Sequence, residues 1–144
     1  MNITDDLYQQ TILDYNRSPR NFYVMENATH QARGVNPLCG DDYTVYLRVN
    51  SCGVIEDASF YGQGCAVSKA SASLMTQELK GKTTEKARCL FHDFRELTAG
   101  RGSLPGKPGV FSGVWKYPER VKCAMLAWHA ADSALPGRAS SANP

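Results

Sequence analysis

Residues 43–61 constrain the fold more than any other stretch. Tyr43, Val45, Leu47 and Val49 alternate with Thr44, Tyr46, Arg48 and Asn50, the two-residue period of a strand with one buried face. Asn50-Ser51-Cys52-Gly53 makes a tight connection, and Val54, Ala58 and Phe60 are in phase on a return strand over 54–61. Two strands joined by so short a link run antiparallel, because a parallel crossover needs a dozen or more residues. After Gly62-Gln63-Gly64-Cys65 the period becomes helical. An Ala- and Ser-rich helix is predicted over 66–80, ending at Gly81. A second, capped by Thr84, carries the stripe Ala87, Leu90, Phe91, Phe94 and Leu97. A third starts at Pro118, with Val121, Ala124, Met125, Trp128 and Ala131 on its apolar face. A helix also precedes the strands: Thr4 as N-cap, Asp5 and Asp6 in its first turn, and Leu7, Tyr8, Thr11, Ile12 and Tyr15 at helical spacing. Pro19 ends it. Strands followed by helices make an α+β domain.

Other segments are less regular. Residues 22–33 are ambiguous, with a short edge strand possible near Thr29–Arg33. The stretch Gly100–Gly113 holds five glycines and two prolines and reads as a loop. One domain is expected over 1–135, with a disordered tail over 136–144.

Composition narrows the function classes. With 144 residues and 42% hydrophobic content, the chain can bury a core without disulfide staples. The net charge of +2 comes with scattered basic residues, so nucleic-acid binding is not expected. No apolar run approaches the ~18 residues of a membrane span. The acidic start, Met1-Asn2-Ile3-Thr4-Asp5-Asp6, does not resemble a targeting segment. A cytoplasmic protein is expected, and there cysteines serve as metal ligands, nucleophiles or core rather than as disulfides.

Of the five cysteines, three stand at element ends. Cys39 lies in a turn before a strand, Cys65 between a strand and a helix, and Cys123 in the first turns of the last helix. Site residues gather at such positions. A helix N-terminus is expected to favour the thiolate at Cys65 and Cys123. Cys52 sits in the hairpin turn, at the far end of the strand pair, and Cys89 opposite an apolar stripe; both are read as spare. In Cys39-Gly40-Asp41 a thiol and a carboxylate lie two residues apart across a flexible glycine, so the pair can reach one ion, although Asp41 alone reads as a turn residue. Three thiolates and a carboxylate suit tetrahedral zinc, or an iron–sulfur cluster with one oxygen ligand. The carboxylate is the harder, more exchangeable donor and favours release. With 25 residues between Cys39 and Cys65, 57 between Cys65 and Cys123 and no Cys-x-x-Cys, spacing alone supports only a three-cysteine metal or thiol site.

The motifs go further. Asn36-Pro37-Leu38-Cys39-Gly40-Asp41, Gly62-Gln63-Gly64-Cys65-Ala66-Val67-Ser68-Lys69-Ala70-Ser71-Ala72-Ser73 and Arg120-Val121-Lys122-Cys123-Ala124-Met125-Leu126-Ala127-Trp128 resemble the U-type iron–sulfur cluster assembly family, which includes IscU, SufU and the NifU N-terminal domain. The opening Leu7-Tyr8…Ile12-Leu13-Asp14-Tyr15…Ser18-Pro19-Arg20-Asn21 is similar to that family's first helix. The likeness runs from about residue 6 to 135. Lys122 precedes the last cysteine where the IscU branch carries histidine, the stretch between the third helix and Cys123 is longer, and no Leu-Pro-Pro-Val-Lys chaperone motif is present. These features resemble the SufU branch. Residues 100–113 depart from the family in their glycine and proline content.

The resemblance implies a three-stranded antiparallel sheet with about four to five helices, the SufE/NifU-like fold. It implies Zn2+ held by Cys39, Asp41, Cys65 and Cys123, with Lys122 a possible charge neighbour. It also implies a sulfurtransferase-like role in which Cys39 accepts sulfur from a SufS-type pyridoxal-phosphate cysteine desulfurase and passes it to downstream SUF components or apo-proteins. The protein would be a monomer or weak homodimer. The competing readings are a scaffold that assembles a transient [2Fe–2S] cluster on the same four residues, a structural zinc domain, and a cysteine hydrolase. The last lacks a base, because His30, His92 and His129 fall in no recognisable arrangement with a cysteine.

Overall fold

The computed structural model describes residues 3–136, with side chains from residue 7 onward. The elements run α1 (Ile3–Arg17), β1 (His30–Asn36), β2 (Asp41–Val49), β3 (Ile55–Gln63), α2 (Ala66–Leu79), α3 (Thr84–Thr98), a 3₁₀ segment (Lys107–Lys116) and α4 (Pro118–Ala134). Because α1 begins at Ile3, Thr4 lies within the helix rather than at its N-cap, and the tail expected over 136–144 lies outside the described residues, apart from Pro136. Among the described residues no helix is long and apolar enough to cross a membrane.

The sheet has the order β1-β2-β3 and is antiparallel throughout. Along β2 the burial alternates as the sequence requires: Tyr43, Val45 and Leu47 are buried, and their neighbours are half-exposed. On β3 the expected phase shifts by one residue. A register break between Arg48 and Val49 sets Arg48 opposite Asp57 but Val49 opposite Ile55. Ile55 rather than Val54 therefore enters the core, together with Ala58 and Phe60. A bulge of this kind re-aims side chains without ending the ladder. β1 runs to Asn36, beyond the expected edge strand, and pairs Asn36 with Asp41. Its alternation was illegible because Ala32, Gly34 and Asn36 are small or polar; Gly34 lies against the Leu126 side chain of α4.

Helices α2 and α4 pack on the sheet and on each other, α1 lies against α2, and α3 lies against α4. The small residues of α2 permit close approach: Ala70, Ser71, Ala72 and Ser73 are all buried. Buried serine hydroxyls need partners. Ser71 Oγ donates to the Ala124 carbonyl at 2.6 Å and accepts from Trp128 Nε1 at 3.1 Å. Trp128 stacks on Phe94, with ring centroids 4.2 Å apart.

Two expectations need correction. The N-cap of α3 is Thr83, not Thr84; its side chain accepts from the Lys86 amide. Adjacent threonines offer the same chemistry, and only the backbone decides which is extended. More consequentially, residues 107–116 are not loop but 3₁₀ turns that bury Pro108, Phe111 and Val114. Those residues recur every third position, which is the 3₁₀ period. Phe111 meets Phe94 and Tyr8 edge-on. Lys107 Nζ donates to the Tyr15 hydroxyl at 2.9 Å, which donates to Gln77 Oε1 at 2.6 Å. Truncating a fully buried Phe111 to alanine would cost on the order of 3–5 kcal/mol.

Candidate metal centre

One end of the sheet collects every residue of interest. The β1–β2 turn carries Cys39, and β2 opens on Asp41. The end of β3 leads through Gly62-Gln63-Gly64 to Cys65, and α4 brings Cys123 over the same point. Cys39 Sγ, Cys123 Sγ and a carboxylate oxygen of Asp41 all lie within 4.8 Å of one another. Cys123 Sγ is 3.4 Å from Cys39 Sγ and accepts a long contact of 3.9 Å from Asn36 Nδ2. Cys39 is exposed, Cys65 half-buried and Cys123 buried.

Cys65 neighbours Cys123 but is not part of that group. Its sulfur does not fall within 4.8 Å of all three partners. It acts instead as the N-cap of α2 and accepts from the Ser68 amide at 3.4 Å. This is the helix-terminus setting anticipated for that thiol. Cys123 is the sixth residue of α4, within its first turns as expected, but the thiolate expected there is not favoured. Burial pushes its thiol far above the ordinary range, and the neighbouring Cys39, Cys65 and Asp41 side chains add to the effect. Without a cation, this thiol keeps its proton.

Asp41 is wholly buried. Its Oδ1 accepts from the Cys65 amide at 2.8 Å and from Ser68 Oγ at 3.0 Å. Its Oδ2 is buried without a hydrogen-bond partner. An orphaned buried carboxylate oxygen is costly, and a carboxylate grouped with two cysteine sulfurs has the chemistry of a metal ligand. The donor set of thiols and one carboxylate therefore fits a zinc-type cation.

The glycines before Cys65 make this packing possible. Gly62 has φ +146°, and a Cβ there would run into the Asp42 carbonyl. A Cβ on Gly64 would stand 2.6 Å from Asp41 Oδ1, 2.7 Å from Ser68 Oγ and 2.7 Å from the Tyr43 hydroxyl. Position 64 thus has no room for any other side chain.

Lys122 is exposed and makes no ion pair among the described residues. A second cation, Arg120, which the sequence reading passed over, also lies on α4. Its guanidinium lies 4.7 Å over the Tyr117 ring, and it neighbours the buried Tyr8 hydroxyl. Burial raises the Tyr8 pKa, Arg120 opposes that rise, and Cys65 and Cys123 add to it. Helical spacing was the available signal, since Arg120 precedes Cys123 by three residues. Cys52 and Cys89 are exposed. Cys52 lies in the β2–β3 turn, at the other end of the sheet.

The model of the NifU-like N terminal domain family matches residues 7–137. The chain belongs to that family. Among relatives of this NifU-like domain, the zinc-dependent sulfurtransferase SufU of Bacillus subtilis is 37% identical over 135 residues, covering 91% of this chain and 90% of the relative. The iron–sulfur cluster assembly scaffold protein IscU of Thermotoga maritima is 38% identical over 132 residues, covering 90% and 92%. A SUF-system scaffold protein from Fervidobacterium islandicum has a crystal structure that superposes with a TM-score of 0.84 at 32% identity, covering 90% of this chain and 97% of that one. The three-stranded sheet and its helices are thus those of the NifU-like fold.

Proposed function

We propose that this protein works in iron–sulfur cluster assembly as a zinc-dependent sulfur acceptor, with Cys39, Asp41, Cys65 and Cys123 as the zinc ligands. The observation that carries the reading is the buried Asp41 carboxylate, its Oδ2 unpartnered, in a group with the paired sulfurs of Cys39 and Cys123. Bound zinc supplies a redox-inert Lewis acid that keeps thiols ionised near neutral pH.

The protein's own residues divide the remaining work. Cys123 is buried and anchors the site from α4, and Cys65 adds a thiol at a helix N-terminus. Cys39 is exposed on its turn and precedes Gly40, at φ +71° with open space around it. Of the three thiols it is the one a partner can reach, so it is assigned as the sulfur acceptor. The Cys39 thiolate attacks the outer sulfur of a persulfide on a pyridoxal-phosphate cysteine desulfurase of the SufS type. A sulfur–sulfur bond forms at Cys39, the donor's sulfur–sulfur bond breaks, and the donor cysteine leaves as thiolate. The Cys39 persulfide then serves downstream cluster-building proteins. A cytoplasmic setting goes with this role.

A second reading is a scaffold for a transient [2Fe–2S] cluster on the same donors. The similarity to the Thermotoga maritima IscU, level with that to SufU, favours it. Lys122, in place of the histidine of the IscU branch, favours sulfur transfer.

Anaerobic purification followed by metal and acid-labile sulfide analysis separates the two. The expected result is about one zinc per chain without sulfide, as for a single tetrahedral site. Desulfurase turnover should rise with the zinc-loaded protein and fall to the unassisted rate with Cys39→Ala, which is expected to keep its fold. Undiminished stimulation by that variant would defeat the acceptor role.

A further inference from the structure

Helix α2 buries four hydroxyl residues, Ser68, Ser71, Ser73 and Thr76, and three of them perform the same task. Ser71 ties α2 to the Ala124 carbonyl of α4. Ser73 accepts from the Arg20 amide, and Thr76 donates to the Ser73 carbonyl. All three bond backbone groups, and their side-chain partners are neutral, Trp128 for Ser71 and Asn21 for Thr76. Ser68 differs. It is 1% exposed, one turn beyond Cys65. Its hydroxyl lies 3.0 Å from Asp41 Oδ1, 3.0 Å from the Cys65 carbonyl, 3.4 Å from the Tyr43 hydroxyl and 3.5 Å from Cys65 Sγ.

A serine hydroxyl has one proton and two lone pairs, so these contacts compete for that proton. The carboxylate is the only charged acceptor that does not depend on a thiol losing its proton, and charge-assisted bonds are the stronger ones. With the Ser68 proton on Asp41, the Tyr43 hydroxyl is free to donate to Ser68 Oγ. The result is a buried chain from Tyr43 through Ser68 to Asp41 Oδ1. The Cys65 amide holds the same oxygen from the other side. Both bonds fall on Oδ1 and none on Oδ2, and Gly64 leaves space for all three groups.

We propose that Ser68 is a positioning residue of the metal centre: it clamps Asp41 Oδ1 so that the carboxylate meets the ion through Oδ2 alone, with Tyr43 as the outer link of the chain. The inference rests on the metal-binding reading given above. A hydrogen-bonded partner behind a ligand fixes its orientation, and its loss typically weakens metal binding roughly 10- to 100-fold. A carboxylate held by one oxygen to the ion and by the other to the protein is pre-oriented for binding and still the most exchangeable of the four donors.

The test is zinc affinity of the full chain, measured by competition with a chromophoric chelator, together with the visible absorption of the cobalt-substituted protein. Ser68→Ala should weaken zinc by roughly 10-fold or more and alter the cobalt spectrum, and Tyr43→Phe should weaken it less. In an Asp41→Ala background, Ser68→Ala should cost nothing further, because the residue acts through Asp41. Wild-type affinity in Ser68→Ala, or the same loss with and without Asp41, overturns the proposal. Circular dichroism of the zinc-free variants checks folding. If Ser68→Ala does not fold, Tyr43→Phe decides, and unchanged affinity in that variant overturns the proposal. Failure of the wild-type protein to bind zinc at all would instead sink the metal-centre reading.

Discussion

At one end of β2, Asn50 closes the turn into β3. Its Oδ1 accepts from the amides of Cys52 and Val54 at 2.9 and 3.0 Å, and its Nδ2 donates to Glu56 at 3.2 Å. The backbone joins in, with Asn50 and Val54 bonded at 3.0 Å. At the other end, Asp41 opens the strand after the Cys39 turn. It is more deeply buried than Asn50, carries a carboxylate, and leaves Oδ2 unpaired. Each end has a cysteine in its turn. Only at the Asp41 end do other elements, α2 and α4, bring further thiols to it. A turn whose polar groups are all satisfied holds a strand pair together. A turn with an unsatisfied buried carboxylate amid thiols holds open a place for something else.

Substitutions at the two ends should therefore separate stability from metal binding. The largest effect is expected from Gly64→Ala. The added methyl collides with Asp41, Ser68 and Tyr43 at once, and overpacking of this kind costs about 1–3 kcal/mol. Both the denaturation midpoint and the zinc content should fall, read by urea titration and metal analysis. Retained zinc would mean that Asp41 is not confined as described. A smaller effect is expected from Asn50→Ala. It removes two amide acceptor contacts and should cost about 1–2 kcal/mol while leaving zinc content at the wild-type level. Zinc loss in that variant would erase the distinction between the two ends. The smallest effect belongs to the Cys52→Ser, Cys89→Ser double variant. Both thiols are exposed, so stability should stay within about 0.5 kcal/mol and metal content should not change.

The same contrast explains what could be read from the chain beforehand. Tyr43, Val45 and Leu47 on β2 were legible because alternation of large apolar residues admits one reading. The stripes of α3 and α4 were legible for the same reason. Cys39, Asp41 and Cys65 stood out because each sits where one element ends and another begins, and Cys123 because it lies in the first turns of α4. What escaped depends on geometry that period and composition do not carry. The register break at Arg48 and Val49 selected Ile55 over Val54. The glycines and prolines of 100–113 masked a three-residue repeat of Pro108, Phe111 and Val114. The depth of Cys123 in α4, which raises its pKa rather than lowering it, follows from burial that no local signal encodes. Ser68 looked like one more small residue in a close-packed helix. Its contact with Asp41 spans 27 residues of sequence.

The position of Cys65 makes one measurement decisive. Its sulfur caps α2, and Cys39, Asp41 and Cys123 lie within 4.8 Å of one another without it, yet four donors are required to complete a closed tetrahedral site. X-ray absorption at the zinc edge of the loaded protein counts those donors directly. Three sulfurs and one oxygen, falling to two sulfurs in Cys65→Ser, is the predicted result. A wild-type shell of two sulfurs, unchanged when Cys65 is replaced, would contradict a centre built from all four residues.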